Sequence, residues 1–304
     1  MLELKTHRLA IPIVLFAGLL WSFGPLVVRY MDNPQQVTWQ YIFGRGLTIF
    51  ILLNLYLFFD EGKNFYKNYF KIGISGILGG TGLAIAMITF IYSITNTSAA
   101  VTLLCLAAMP FFTALLAFLF LKEKISIGVW VAIIIATVGI LIMAIGNSNP
   151  NSLIGFIFGL ASSIGFSVFS VSLRWRKETP KFTTVAFAGL FCFVFASIMI
   201  LNKDQSFFAS SYNGVLFSLH GTLVCFGLIL YSIGSKAIPA AELTLLSLTE
   251  VVGGIFWVWL PLFGINETPS TNTVIGGFFI FVSLVYYSLI MRWNRWNKRH
   301  IALN

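Results

Sequence analysis

Charge is the scarcest commodity in this sequence. Only 10% of its 304 residues are Asp, Glu, Lys or Arg, while 58% are apolar; soluble domains carry about 25% charged residues. A water-soluble core of this length cannot hide so much apolar surface, so the chain reads as an all-α polytopic membrane protein. Other absences narrow its function. Cys105, Cys192 and Cys225 all lie inside apolar runs, with no CxxC or Cys/His spacing, which argues against a disulfide framework, a metal site or a cofactor. His7, His220 and His300 are scattered and no carboxylates are paired, so a membrane-embedded lipid-modifying enzyme would lack its acid–base or metal constellation. A channel would need rings of charge or a filter-like Gly-Tyr-Gly run, and the sequence has neither. The first apolar run has no small-residue cleavage site and reads as a retained helix rather than a signal peptide.

What the chain has instead is apolar spans long enough to cross a bilayer. Ten are expected, at 11–30, 38–59, 71–94, 98–121, 127–146, 153–174, 182–201, 214–237, 239–262 and 273–291. Every lysine and arginine except Arg29, Lys203 and Arg45 falls on the side of the N-terminus, and Arg45 lies within a span. Basic loops face the cytoplasm, so the net charge of +9 points to a plasma (inner) membrane protein with both termini cytoplasmic, not to nucleic acid. The tail 292–304, which contains RWNRWNKRH, is expected to rest on anionic headgroups.

The spans repeat five on five. Trp21–Arg29 (WSFGPLVVR) aligns at a constant offset of 145 with Phe166–Arg174 (FSVFSVSLR), Tyr92-Ser-Ile recurs as Tyr231-Ser-Ile, and the LKEKIS turn ending at Ser126 has a counterpart in INETPS ending at Ser270. Because five is odd, the halves 11–146 and 153–291 must insert in opposite senses. Inverted repeats with a site between them are the architecture of many secondary transporters. Two spans look like copies around the centre: 98–121, with Pro110, and 239–262, with Glu250 near its midpoint.

Those residues carry a resemblance. The chain resembles the drug/metabolite transporter superfamily, specifically its EamA-type ten-helix members. It is similar to them in Trp21 eight residues before Arg29, in Arg45 early in helix 2, in Pro110 within helix 4, and in Glu123 and Glu267 in the turns that end helices 4 and 9. It departs in having Glu250-Val251 where the family often has Glu-Pro, and Phe166 where helix 6 often has tryptophan. The resemblance implies secondary transport, commonly efflux, of small metabolites through a cavity bounded by both halves.

A carboxylate at bilayer depth is costly and usually faces a pathway or a partner; there it can also take up and release a proton. Glu250 is therefore the expected proton-coupling or cation-recognition residue, the alternative being a glutamate bonded between helices for packing. Around it at helical spacing lie Ser247, Gly253, Gly254 and Trp257. The matching face of helix 4 is Thr102, Cys105, Leu106, Met109, Phe112 and Thr113. Pro110, Gly253 and Gly254 are candidate hinges, though a fixed bend at Pro110 serves equally well. Arg45 and His220 should lie at one level near the outer end and, with Arg29, attract carboxylates; each can instead be a structural partner between helices. Trp21 and Tyr92 are expected on the pathway and Trp39 in the interfacial belt. Gly76-xxx-Gly80 and Gly155-xxx-Gly159 are expected to mark close helix packing, Glu242 and Lys236 an inner pair, and Glu123 and Glu267 ties within their turns. A cavity with both acid and base suits a zwitterion. The expected function is export of small polar metabolites such as amino acids by alternating access; a carrier for nucleobases, cationic drugs or sugar phosphates, or one working in uptake or exchange, stays open.

Overall fold

The computed structural model describes residues 2–122, 126–146, 150–176 and 178–301, with side chains from 9 to 145 and from 152 to 290 within those ranges. Among the described residues the chain is helical and contains ten helices long and apolar enough to cross a membrane: Leu9–Arg29, Thr38–Asn64, Gly73–Asn96, Ala99–Leu121, Ile127–Ile145, Ser152–Trp175, Lys181–Asn202, Ser211–Gly234, Ala240–Trp259 and Thr271–Ile290. They follow the expected spans closely. The eighth starts and ends three residues early, and the ninth stops at Trp259 because Leu260, which precedes Pro261, is extended. The last helix runs on to Ile301.

Three spans are broken. The first divides into Leu2–Trp21 and Gly24–Arg29, the fourth into Ala99–Leu106 and Met109–Leu121, and the ninth into Ala240–Leu246 and Thr249–Trp259. Prolines account for two of these: Pro25 and Pro110 each sit in the first turn of the second segment, where a missing N–H costs nothing. The ninth has no proline, and its break is not at Gly253–Gly254 but at Ser247–Leu248. There the Ser247 hydroxyl donates to the Thr244 carbonyl (2.8 Å) and the Thr249 hydroxyl donates to Leu15 on the first span (3.1 Å). In both the fourth and ninth spans the break is a tightened turn with i→i−3 bonds, Ala108 to Cys105 (3.1 Å) and Leu248 to Leu245 (3.2 Å).

The third span packs on the sixth, the second on the seventh and the fifth on the tenth, and the broken fourth and ninth meet each other near the middle. At three of these crossings glycine faces glycine. A Cβ on Gly165 would lie 2.6 Å from the Gly82 carbonyl oxygen, one on Gly276 2.5 Å from that of Gly139, and one on Gly189 3.1 Å from that of Gly46. Small residues let backbones approach where apolar burial cannot drive helices together. The two GxxxG pairs also sit in close packing, Gly80 against Phe187 and Gly159 against Cys105 and Ser93. One end of the bundle gathers Arg174, Lys181 and Lys236 around a cleft of about 790 Å³; this is the basic end. The far end gathers Arg29, Thr97, Ala99 and Glu267.

Candidate functional site

Between the broken spans lies a cavity of about 60 Å³, room for a few water molecules. Trp21, Arg45, Met109, His220 and Glu250 line it. Glu250 occupies the first turn after the ninth-span break and Met109 the first residue after the fourth-span break. The helix restart sets Glu250 in a first turn, where the positive end of the helix dipole favours a carboxylate, with the N–H groups of that turn already met by the Ser247 and Leu248 carbonyls.

Arg45 comes from the second span and is only 5% exposed. Its Nε and Nη1 have no hydrogen-bond partner; its guanidinium lies 5.9 Å from the centre of the Phe90 ring. Among the described residues nothing hydrogen-bonds or ion-pairs with the Glu250 carboxylate. The two are close enough to feel each other's charge, yet they form no ion pair. One turn before Arg45 on the same face, the Tyr41 hydroxyl bonds Nδ1 of His220, and the Tyr41 ring stacks on Phe217 at 5.1 Å. His220 is thus both a bonded interhelical residue and part of the cavity wall, with Gly24 against its Nε2 leaving no room for a Cβ (2.7 Å).

Trp21 forms part of the cavity wall. Its indole N–H donates to Val224 O (3.3 Å), and its ring meets Phe166 and Tyr231, each at 5.6 Å. Phe169 and Tyr231 continue this aromatic layer, with the Tyr231 hydroxyl 2.7 Å from Ser170 Oγ. Phe166, the counterpart of Trp21 in the sequence repeat, thus packs edge-on against it.

The other expected residues lie elsewhere. Ser247 is wholly buried and bonded to its own helix. Trp257 donates to Ser22 Oγ (2.9 Å) and stacks on Phe23 at 5.0 Å, which pins the break of the first span to the ninth. Tyr92 packs on Trp39 (5.2 Å) at a separate polar cleft of about 450 Å³ near the far end, with Lys203 over the Trp39 ring. Pro110 stands beside the break of the fourth span; Gly253 and Gly254 lie inside a continuous helix, against Ser22 and against Leu103 and Pro25. Lys236 lies over the Phe182 ring. Glu267 reaches beyond its own turn to Arg29, so in this state Arg29 is engaged rather than open to a solute. Glu123 lies outside the described residues.

The sequence reading missed one wall. Leu83, Met87 and Phe90 from the third span and Val224 and Leu228 from the eighth line the cavity, each set on one helical face at spacings of three or four.

Residues 8–145 match the EamA-like transporter family. An uncharacterized transporter of Helicobacter pylori is 27% identical over 164 residues, 53% of this chain and 52% of that protein, so the chain spans about half the length of the first curated relatives it matches. The pseudopaline exporter CntI of Pseudomonas aeruginosa is 22% identical over 71% of this chain and 73% of its own length, and an uncharacterized transporter of Clostridium kluyveri is 26% identical over 71% of each. A protein crystal structure aligns over 93% of this chain and 98% of that one with a TM-score of 0.63 at 16% identity, a likeness of fold alone. Over residues 8–145, then, the chain is similar to the EamA-like transporter family, and the relatives it matches carry the name of transporter or exporter.

Proposed function

We propose that the protein is a secondary active transporter that exports small zwitterionic metabolites such as amino acids across the inner membrane, by alternating access between two inverted five-helix repeats. The observation that carries this reading is the cavity itself: a buried guanidinium with two nitrogens unmet and a carboxylate with no ion-pair partner face one space without joining. Two opposite charges kept apart in a low-dielectric site forgo a large mutual attraction. A ligand with a carboxylate for Arg45 and an ammonium for Glu250 restores both interactions at once. The aromatic and thioether walls take its apolar part, and Met87 and Met109 can give way as it enters.

The inverted repeat is supported by the packing. Exchanging the first to fifth spans for the sixth to tenth turns each major contact into another: third on sixth becomes eighth on first, and second on eighth becomes seventh on third. Trp21 and its counterpart Phe166 touch each other, as residues beside a pseudo-twofold axis would. The basic end is then cytoplasmic, with both termini there. The name of the CntI relative supports outward transport.

Protonation of Glu250 would supply the coupling: the protonated acid no longer holds an ammonium group, so one proton can be exchanged for one solute. The test compares metabolites inside and outside cells expressing the wild type, Glu250→Gln or no transporter. A zwitterionic solute class should accumulate outside with the wild type alone. No such class across a broad panel, or equal efflux by Glu250→Gln, rejects the reading.

A further inference from the structure

We infer that Arg29 and Glu267 form a latch that holds the far end of the transporter shut and lets go when that end opens. Arg29, the last residue of the first span, is fully committed: Nε donates to Glu267 Oε2 (2.7 Å), Nη1 to Ile94 O (2.8 Å) and Nη2 to Thr97 O (3.1 Å). Glu267, between the ninth and tenth spans, accepts with its other oxygen from the Ala99 N–H (2.6 Å). Four segments converge on two side chains: the ends of the first and third spans, the start of the fourth, and a loop of the other half.

The partners are groups that helices leave unmet at their ends. Ile94 O lies in the last turn of the third span and the Ala99 N–H in the first turn of the fourth. When the end parts, water can replace each bond, so the element has two satisfied states. The charged side chains are 21% and 20% exposed, shielded enough for charge-assisted bonds to count and near enough to water to exchange. In the sequence repeat Arg29 corresponds to Arg174 and Glu267 to Glu123, so the same two residue types occur in both halves.

The latch rests on the alternating-access reading, but its test needs no solute. Ala99, fully buried beneath Glu267, is replaced by cysteine in the full-length protein after Cys105, Cys192 and Cys225 are changed to alanine. Labelling by a charged maleimide is then timed in detergent. Glu267→Gln and Arg29→Lys, the latter keeping the charge but losing the planar fork, should each speed labelling about tenfold or more, the equivalent of one charge-assisted hydrogen bond, with thermal midpoints within a few degrees of the parent. Unchanged rates in both variants overturn the latch. So does an equal rise in Tyr30→Phe, which loses only the neighbouring bond from Tyr30 to Phe263 O, because the far end would then merely be loose. Latch-dependent labelling without metabolite efflux would sink the transport reading alone; intact efflux with unchanged labelling would sink the latch alone.

Discussion

Replacing Arg45 by methionine should abolish transport and make the protein more stable. Methionine keeps most of the side-chain volume and needs no hydrogen bonds. The arginine loses little by leaving: Nε and Nη1 are buried without partners, and what attracts it is the Phe90 face at 5.9 Å and the neighbouring Tyr41 hydroxyl. Each of the two unmet buried donors costs about 1–3 kcal/mol, while the cation–π contact returns roughly 0.5–2 kcal/mol and the Tyr41 hydroxyl about 1 kcal/mol. The net gain on substitution is then on the order of 1–3 kcal/mol. At about 2–4 °C per kcal/mol for a large domain, the thermal midpoint should rise by several degrees. The assay pairs thermal unfolding of the purified protein with solute efflux. A residue kept at a stability cost because it binds substrate shows this opposed pattern. If Arg45→Met instead unfolds several degrees lower while efflux persists, Arg45 is an ordinary structural partner and the reasoning fails.

Other expectations follow from the same cavity. Glu250→Gln, which keeps shape but cannot ionise, should lose proton-driven accumulation and solute-for-solute exchange alike, each by about tenfold or more, because a neutral amide forms no charge-assisted bond to an ammonium group; exchange at the wild-type rate would show that Glu250 does not hold the solute. Gly227→Ala would set a methyl 2.1 Å from the Trp21 indole nitrogen, so it should displace that ring and cut efflux severely. Near-normal efflux by this variant would show that Trp21 does not shape the pathway. Tyr41→Phe leaves His220 without its hydroxyl partner, and a loss of about 1–3 kcal/mol in stability is expected from the unmet buried nitrogen, read as a lower unfolding midpoint.

The spans were legible because apolar length is a strong signal, and Glu250, Arg45 and Trp21 because their types are conspicuous inside such lengths. The third-span wall was not. Leu83, Met87 and Phe90 face the cavity while Ile77, Leu78 and Ile85 of the same helix are exposed, and in a bilayer both faces are apolar, so hydrophobic periodicity carries no contrast. Proline marked the break in the fourth span. In the ninth, hydroxyls do the same work through hydrogen bonds that a pattern of residue types does not reveal. Arg29 and Glu267 are 238 positions apart, and no local rule pairs them; only the repeat, read through to both ends, hints that an arginine and a glutamate belong together.

The glycine crossings offer a final distinction, between what holds the bundle together and what shapes its cavity. Gly276→Ala would drive a methyl to 2.5 Å from Gly139 O, at the pairing of the fifth and tenth spans; Gly165→Ala would drive one to 2.6 Å from Gly82 O and 2.9 Å from Ala86 N, at the pairing of the third and sixth. Backbone cannot yield as a side-chain tip can, so each should cost about 1–3 kcal/mol, the usual toll of overpacking. Their effects on transport should differ. Ala86 and Ser162, beside the second crossing, line the cavity, whereas neither the fifth nor the tenth span contributes to its wall. Gly276→Ala should therefore lower the unfolding midpoint and leave efflux per folded molecule near normal, while Gly165→Ala lowers both. Equal loss of efflux in the two variants would mean that the fifth and tenth spans move with the gate, and the division drawn here between scaffold and cavity would have to be abandoned.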